Sequence, residues 1–123
     1  MAHPFDPSAI GHDIVSKVGT ILGSDLTIYV SFAQQQAKLL AKQAAWIAEA
    51  TISKEITAKE RDYFLKDLKE LSLNFVRTIV ALTALTIEKI WNAIVGTLWG
   101  AMNSALDAAG IPISIPTPVP PKS

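Results

Sequence analysis

Apolar residues Ile10, Ile14, Val18 and Ile21/Leu22 recur at the three- and four-residue intervals of one helix face. Asp6-Pro7-Ser8 stands before them, with proline where a first helical turn tolerates its missing N–H. The spacing predicts a first helix over about residues 8–22, with Gly23 as its C-terminal cap and Ser24 or Asp25 as the next N-cap. A second helix is expected over about 25–54. Its apolar line runs Leu26, Tyr29/Val30, Ala33, Ala37, Leu40/Ala41, Ala44, Ile47/Ala48 and Ile52. Its polar line runs Thr27, Ser31, Gln34/Gln35, Lys38, Lys42, Glu49 and Ser53. Thr57-Ala58-Lys59-Glu60 has the form of a capping box, so a third helix starts near Ala58.

No proline follows until Pro112, and Gly110 is the natural stop. The pattern therefore predicts one helix over about 58–109, roughly 75 Å long at 1.5 Å per residue. One face carries Asn74, Arg77/Thr78, Ala81, Glu88, Asn92, Asn103 and Asp107. The opposite arc carries Leu68, Leu71, Phe75/Val76, Ile79/Val80, Thr83, Ile87, Ile90/Trp91, Ile94/Val95, Leu98, Met102 and Leu106. A hairpin bent at 53–57 pairs the second helix only with residues up to about Lys89. The rest of the arc then needs helix one, another copy of the chain, or a membrane to cover it.

Charge sharpens this picture. Half of the charged residues lie between Glu49 and Glu70, and from Leu71 to Leu106 only Arg77, Glu88 and Lys89 are charged. The bend is thus a wet tip, and the neutral stretch is suited to burial. Formal charge balances, with 11 basic and 11 acidic residues, so nothing points to nucleic acid as a partner. Cysteine is absent, which excludes disulfides and thiolate chemistry. The start, MAHPFDPSAIGHD, lacks the basic region and apolar core of a classical export signal, so a cytoplasmic or membrane-associated location is expected.

The segment 110–123 contains five prolines and cannot be helical; an extended or polyproline-like tail is expected. Ile111, Ile113, Ile115 and Val119 are too apolar for a solvated linker and predict a docked tail, with a neighbouring subunit as one candidate support.

Candidate chemistry is sparse. His3, Asp6, His12 and Asp13 cluster in sequence but match no metal-ligand spacing. Asp62, Lys66 and Glu70 have the i,i+4 spacing of a solvated helix face rather than of a catalytic pair. No nucleophile stands with a base, and no Gly-rich phosphate loop is present, so no enzyme activity, cofactor or metal is expected. Gly96, Gly100, Ser104 and Ala108 form a small-residue line that lets two helices approach closely, within the chain or between chains. Gly11 and Gly19 share a face in helix one, as do the alanines of helix two. Residues 90–106 are the longest uncharged stretch after Lys89, slightly short of a bilayer span, with Trp91 and Trp99 suited to an interface.

Phasins, long helical-hairpin assembly subunits and small phage holins share the general look of Ala-rich amphipathic helices. No motif specific to any of them is present, and the sequence assigns no family. The expected architecture is all-α: one domain over 1–109, built as a long antiparallel hairpin with a short N-terminal helix, followed by the tail at 110–123. The expected role is a non-enzymatic assembly subunit, a homo-oligomer or part of a larger complex, with membrane contact open. The alternative is a membrane-active, holin-like, pore-forming or interfacial protein. The expected contact surface comprises Trp91, Ile94, Val95, Gly96, Leu98, Trp99, Gly100, Met102, Ser104, Ile111, Ile113 and Ile115.

Overall fold

The computed structural model describes residues 5–22, 26–82 and 87–119. Within them the chain forms four helices and no strand: α1 (Pro7–Leu22), α2 (Leu26–Ile52), α3 (Ala58–Leu82) and α4 (Ile87–Ala108). The expected caps at Gly23 and at Ser24 or Asp25, and the arc position Thr83, lie outside the described residues.

Local chemistry sets the visible helix ends. Asp6 caps α1: its carboxylate accepts the Ser8 N–H at 3.0 Å and its carbonyl accepts the Ile10 N–H at 3.1 Å. The capping box forms at α3, with the Thr57 N–H on the Glu60 carboxylate at 2.9 Å and the Glu60 N–H on the Thr57 hydroxyl at 3.1 Å. Two helices close with the same C-terminal motif. After α2, the Glu55 N–H reaches the Ala50 carbonyl and the Lys54 N–H the Thr51 carbonyl; after α4, Ile111 reaches Leu106 and Gly110 reaches Asp107. Both motifs need a left-handed residue. Gly110 supplies it at φ 74°, whereas Lys54 occupies it at φ 62° with the steric cost of a side chain.

Cross-helix contacts fix the directions. Phe32 meets Phe75 with ring centroids 5.6 Å apart, Gln43 donates to Asp67 at 3.2 Å, and Trp46 meets Phe64 at 4.8 Å. The number rises along α2 as it falls along α3, so the two are antiparallel. Gly11 lies against Lys38, about equally far from the α1–α2 junction on each side, so α1 and α2 are antiparallel too. Trp99 shares a pocket with Asp62, Leu65, Lys66 and Lys69, which brings α4 back along α3. The result is an up-down-up-down bundle in which α1 packs on α2 and α4, and α2 also contacts α4 across the core.

This corrects the single helix expected over 58–109: α3 and α4 are separate elements lying side by side, and residues 83–86 lie outside the described residues. The reason is energetic. Ile90, Trp91, Ile94, Leu98, Trp99, Met102 and Leu106 are all fully buried. Burial of each such side chain is worth about 1.5–3 kcal/mol, far more in sum than the few backbone hydrogen bonds lost by interrupting a helix. The rest of the core comes from Ile14 and Val18 of α1, the alanine face of α2 (Ala33, Ala37, Ala41, Ala44, Ala48) and Leu68, Phe75, Val76 and Ile79 of α3. The alanines let α1 come close: a Cβ at Gly11 would stand 3.4 Å from the Lys38 Cα.

Residues 111–119 have no regular secondary structure. Ile115 is nonetheless buried, with Ile111 and Ile113 packed partly against the core.

Candidate functional site

The residues expected to face a partner divide into three groups. Trp91, Ile94, Val95, Leu98, Trp99 and Met102 are within 1% of complete burial in the chain's own core. The argument that α4 needs an outside cover therefore falls, because α1, α2 and α3 supply it. Ile115 is buried by the chain's own α4, and Ile111 and Ile113 partly so. Only Gly96, Gly100 and Ser104 remain exposed.

Those three, with Ala108, line an open groove of about 480 Å³ between α1 and α4. Its opposite wall carries Phe5, Ile10, Asp13 and Lys17. Among the described residues, a Cβ built on Gly96 or Gly100 would meet nothing within 4 Å. The small-residue line is thus not a close helix contact within the chain; that role belongs to Gly11 and the α2 alanines. Polar groups at the groove are mutually satisfied. The Lys17 ammonium donates to the Thr97 hydroxyl at 2.9 Å and pairs with Asp13 at 3.4 Å, and the Thr97 hydroxyl donates to the Ala93 carbonyl at 2.7 Å.

The tail crosses α4 against its numbering. The Asn103 side chain accepts the Ile115 N–H at 2.7 Å and donates to the Ile115 carbonyl at 2.9 Å, and the Trp91 indole N–H donates to the Pro118 carbonyl at 3.0 Å. Pro116 and Pro118 lie over the α3–α4 seam beside Leu65 and Trp99.

Apart from Val119 in the tail, the exposed large apolar side chains among the described residues lie on a different face. Leu39 is 56% exposed, Trp46 45%, Tyr63 70% and Leu71 41%, so four large side chains of α2 and α3 stand in water where a closed bundle needs none. Leu39 and Trp46 are two helical turns apart on α2. Phe64 and Leu71 have the same spacing on α3 and face them, with Gln43 and Asp67 bridging the seam between. Periodicity did not assign these positions to contact, because Leu39 and Trp46 fall outside the alanine stripe and drop out of a reading that follows the core. Their seven-residue spacing off the core face was the available signal.

Among the described residues no three His, Asp or Glu side chains gather to hold a metal ion, and His3 lies outside them. No helix among them is long and apolar enough to cross a membrane. Known protein families, characterised proteins and solved structures provide no significant match to this chain.

Proposed function

We propose that the chain is a non-enzymatic assembly subunit that self-associates or docks onto a larger complex through the α2–α3 face. The observation that carries this reading is the row of exposed Leu39, Trp46, Tyr63 and Leu71 on a bundle whose core is already closed. Scattered surface apolar residues need no explanation, but large ones gathered on one face mark interaction sites. Aromatic side chains are also the commonest anchors of protein contacts. In this reading the proline-containing segment 111–119 is an extended strap that holds α3 and α4 together.

The α1–α4 groove with Gly96, Gly100 and Ser104 is the part of the sequence-derived surface that stays open to a partner. Exposed Trp46 and Tyr63 also favour a second reading, in which the same face lies at a lipid headgroup surface. Size-exclusion chromatography with light scattering, without detergent, tests the first reading; flotation with vesicles tests the second. A mass above that of one chain across the micromolar range, without flotation, is expected. A monomer throughout contradicts self-association, and flotation of the monomer favours the lipid reading.

A further inference from the structure

The segment 111–119 is held as a peptide ligand is held, at separate points and largely through its main chain. Ile115 is its one buried side chain, while Pro112, Ser114, Pro116, Thr117 and Val119 are exposed. The Asn103 amide engages the N–H and the carbonyl of Ile115, and the Trp91 indole N–H donates to the Pro118 carbonyl. Pro116 and Pro118 carry no N–H, so they lie over the seam without a donor to satisfy. Proline also keeps a free segment extended, which lowers the entropy lost on docking. An aromatic-lined groove that takes an extended, proline-containing segment is a recurring mode of peptide recognition. The seat itself belongs to the helices: Trp91, Trp99 and Asn103 stand on α4 and Leu65 on α3. Without an occupant, the Asn103 amide and the Trp91 N–H lose these partners and the place of Ile115 opens. An open space of about 350 Å³ also remains beside Ile115, Pro116 and Pro118, walled by Leu65, Lys66, Lys69 and Trp99. The seat is wider than the segment that fills it.

We infer that the α3–α4 seam is a recognition site for an extended Ile-Pro-x-Pro segment of another protein chain, with the chain's own residues 115–118 as its exchangeable occupant. The contacts read main-chain groups at fixed spacing and one isoleucine side chain, so they do not distinguish a tethered segment from a free one of the same sequence. One buried side chain and the hydrogen bonds from Asn103 and Trp91 are a modest hold. The tether keeps the resident segment at an effective concentration on the order of millimolar, and a competitor must overcome that advantage. The resident segment therefore restrains the site: a partner binds when it supplies the same contacts at high local concentration or when the chain's own segment is drawn away. This site lies apart from the exposed α2–α3 face and does not depend on it.

The test uses the full chain and a labelled peptide of residues 110–119, followed by fluorescence anisotropy. Ile115→Ser changes the resident segment and leaves the helices of the seat as they are. This variant is expected to bind the peptide about tenfold more tightly than the wild type, because apparent affinity falls with the fraction of seats left free. Adding Asn103→Ala to Ile115→Ser removes both bonds to the peptide main chain and is expected to weaken binding about tenfold. A peptide that itself carries Ile115→Ser is expected not to bind. Ile115→Val keeps the core nearly filled and is expected to give the same order with a smaller gain, so the test stands even where Ile115→Ser lowers the helical circular dichroism. Tighter binding to the two tail variants, weakened by Asn103→Ala, supports the site. No binding to either tail variant, equal binding to the wild type, or binding unchanged by Asn103→Ala overturns it, and each leaves the α2–α3 reading standing.

Discussion

Asn103 holds both backbone polar groups of Ile115, accepting its N–H at 2.7 Å and donating to its carbonyl at 2.9 Å. A primary amide can do both at once, its oxygen accepting while its nitrogen donates, so the pair works as a clasp for an extended segment. The buried Ile115 side chain and the Trp91 bond to Pro118 complete the attachment. Asn103→Ala leaves two backbone groups without partners in a partly buried place and costs about 1–3 kcal/mol of tail docking. Hydrogen exchange at Ile113 and Ile115 is expected to accelerate while α2 stays protected. Unchanged exchange at Ile115 contradicts the clasp.

Gly96 and Gly100 sit inside α4, and no described residue occupies the place where a Cβ would go. In an exposed helix interior alanine is favoured over glycine by about 0.5–1 kcal/mol. Gly96→Ala and Gly100→Ala should each raise the urea midpoint by a corresponding amount. Gly11→Leu should lower it, because its side chain would drive into the α2 backbone near Lys38. Loss of stability at Gly100→Ala would mean that the groove is filled in solution.

The Ser72 hydroxyl is fully buried on α3 with no hydrogen-bond partner among the described residues. An unpaired hydroxyl in an apolar place costs about 1–3 kcal/mol. Ser72→Ala removes that cost with little change of volume and is expected to raise the melting temperature by several degrees. A lower melting temperature would show that the hydroxyl has a partner in solution.

Trp99 separates the two accounts of α4. If its arc were a partner surface, Trp99→Ala would change the oligomer and spare the fold. Because Trp99 is 1% exposed inside the bundle, the substitution is expected to cost about 3–5 kcal/mol of unfolding free energy. Denaturant unfolding at a concentration where the chain is monomeric checks this. A loss below about 1 kcal/mol would return α4 to the list of contact surfaces.

These outcomes bear on what the sequence could disclose. The capping box at Thr57, the Asp6–Pro7 start and the alanine face of α2 were legible because each is a local pattern with a local cause. The end of α2 was not fully legible: Lys54 takes the left-handed position that glycine would have advertised. The separation of α3 from α4 was hidden for a related reason. No glycine or proline stands between Leu82 and Ile87, and the decision lies in burying Trp91, Leu98 and Trp99 against distant helices. Misjudging that fold-back moved the expected contact surface onto α4, when the large apolar helix residues left in water, among those described, were Leu39, Trp46, Tyr63 and Leu71.

The most direct test of the central claim is the light-scattering mass of the wild-type chain beside that of a Leu39→Asn, Leu71→Asn variant at equal micromolar concentration. Both positions are partly exposed in the single chain, so the variant keeps its helical fold and loses about 1–2 kcal/mol of unfolding free energy per site at most. The account predicts a mass above that of one chain for the wild type and a single chain mass for the variant. Equal masses for the two proteins would contradict it.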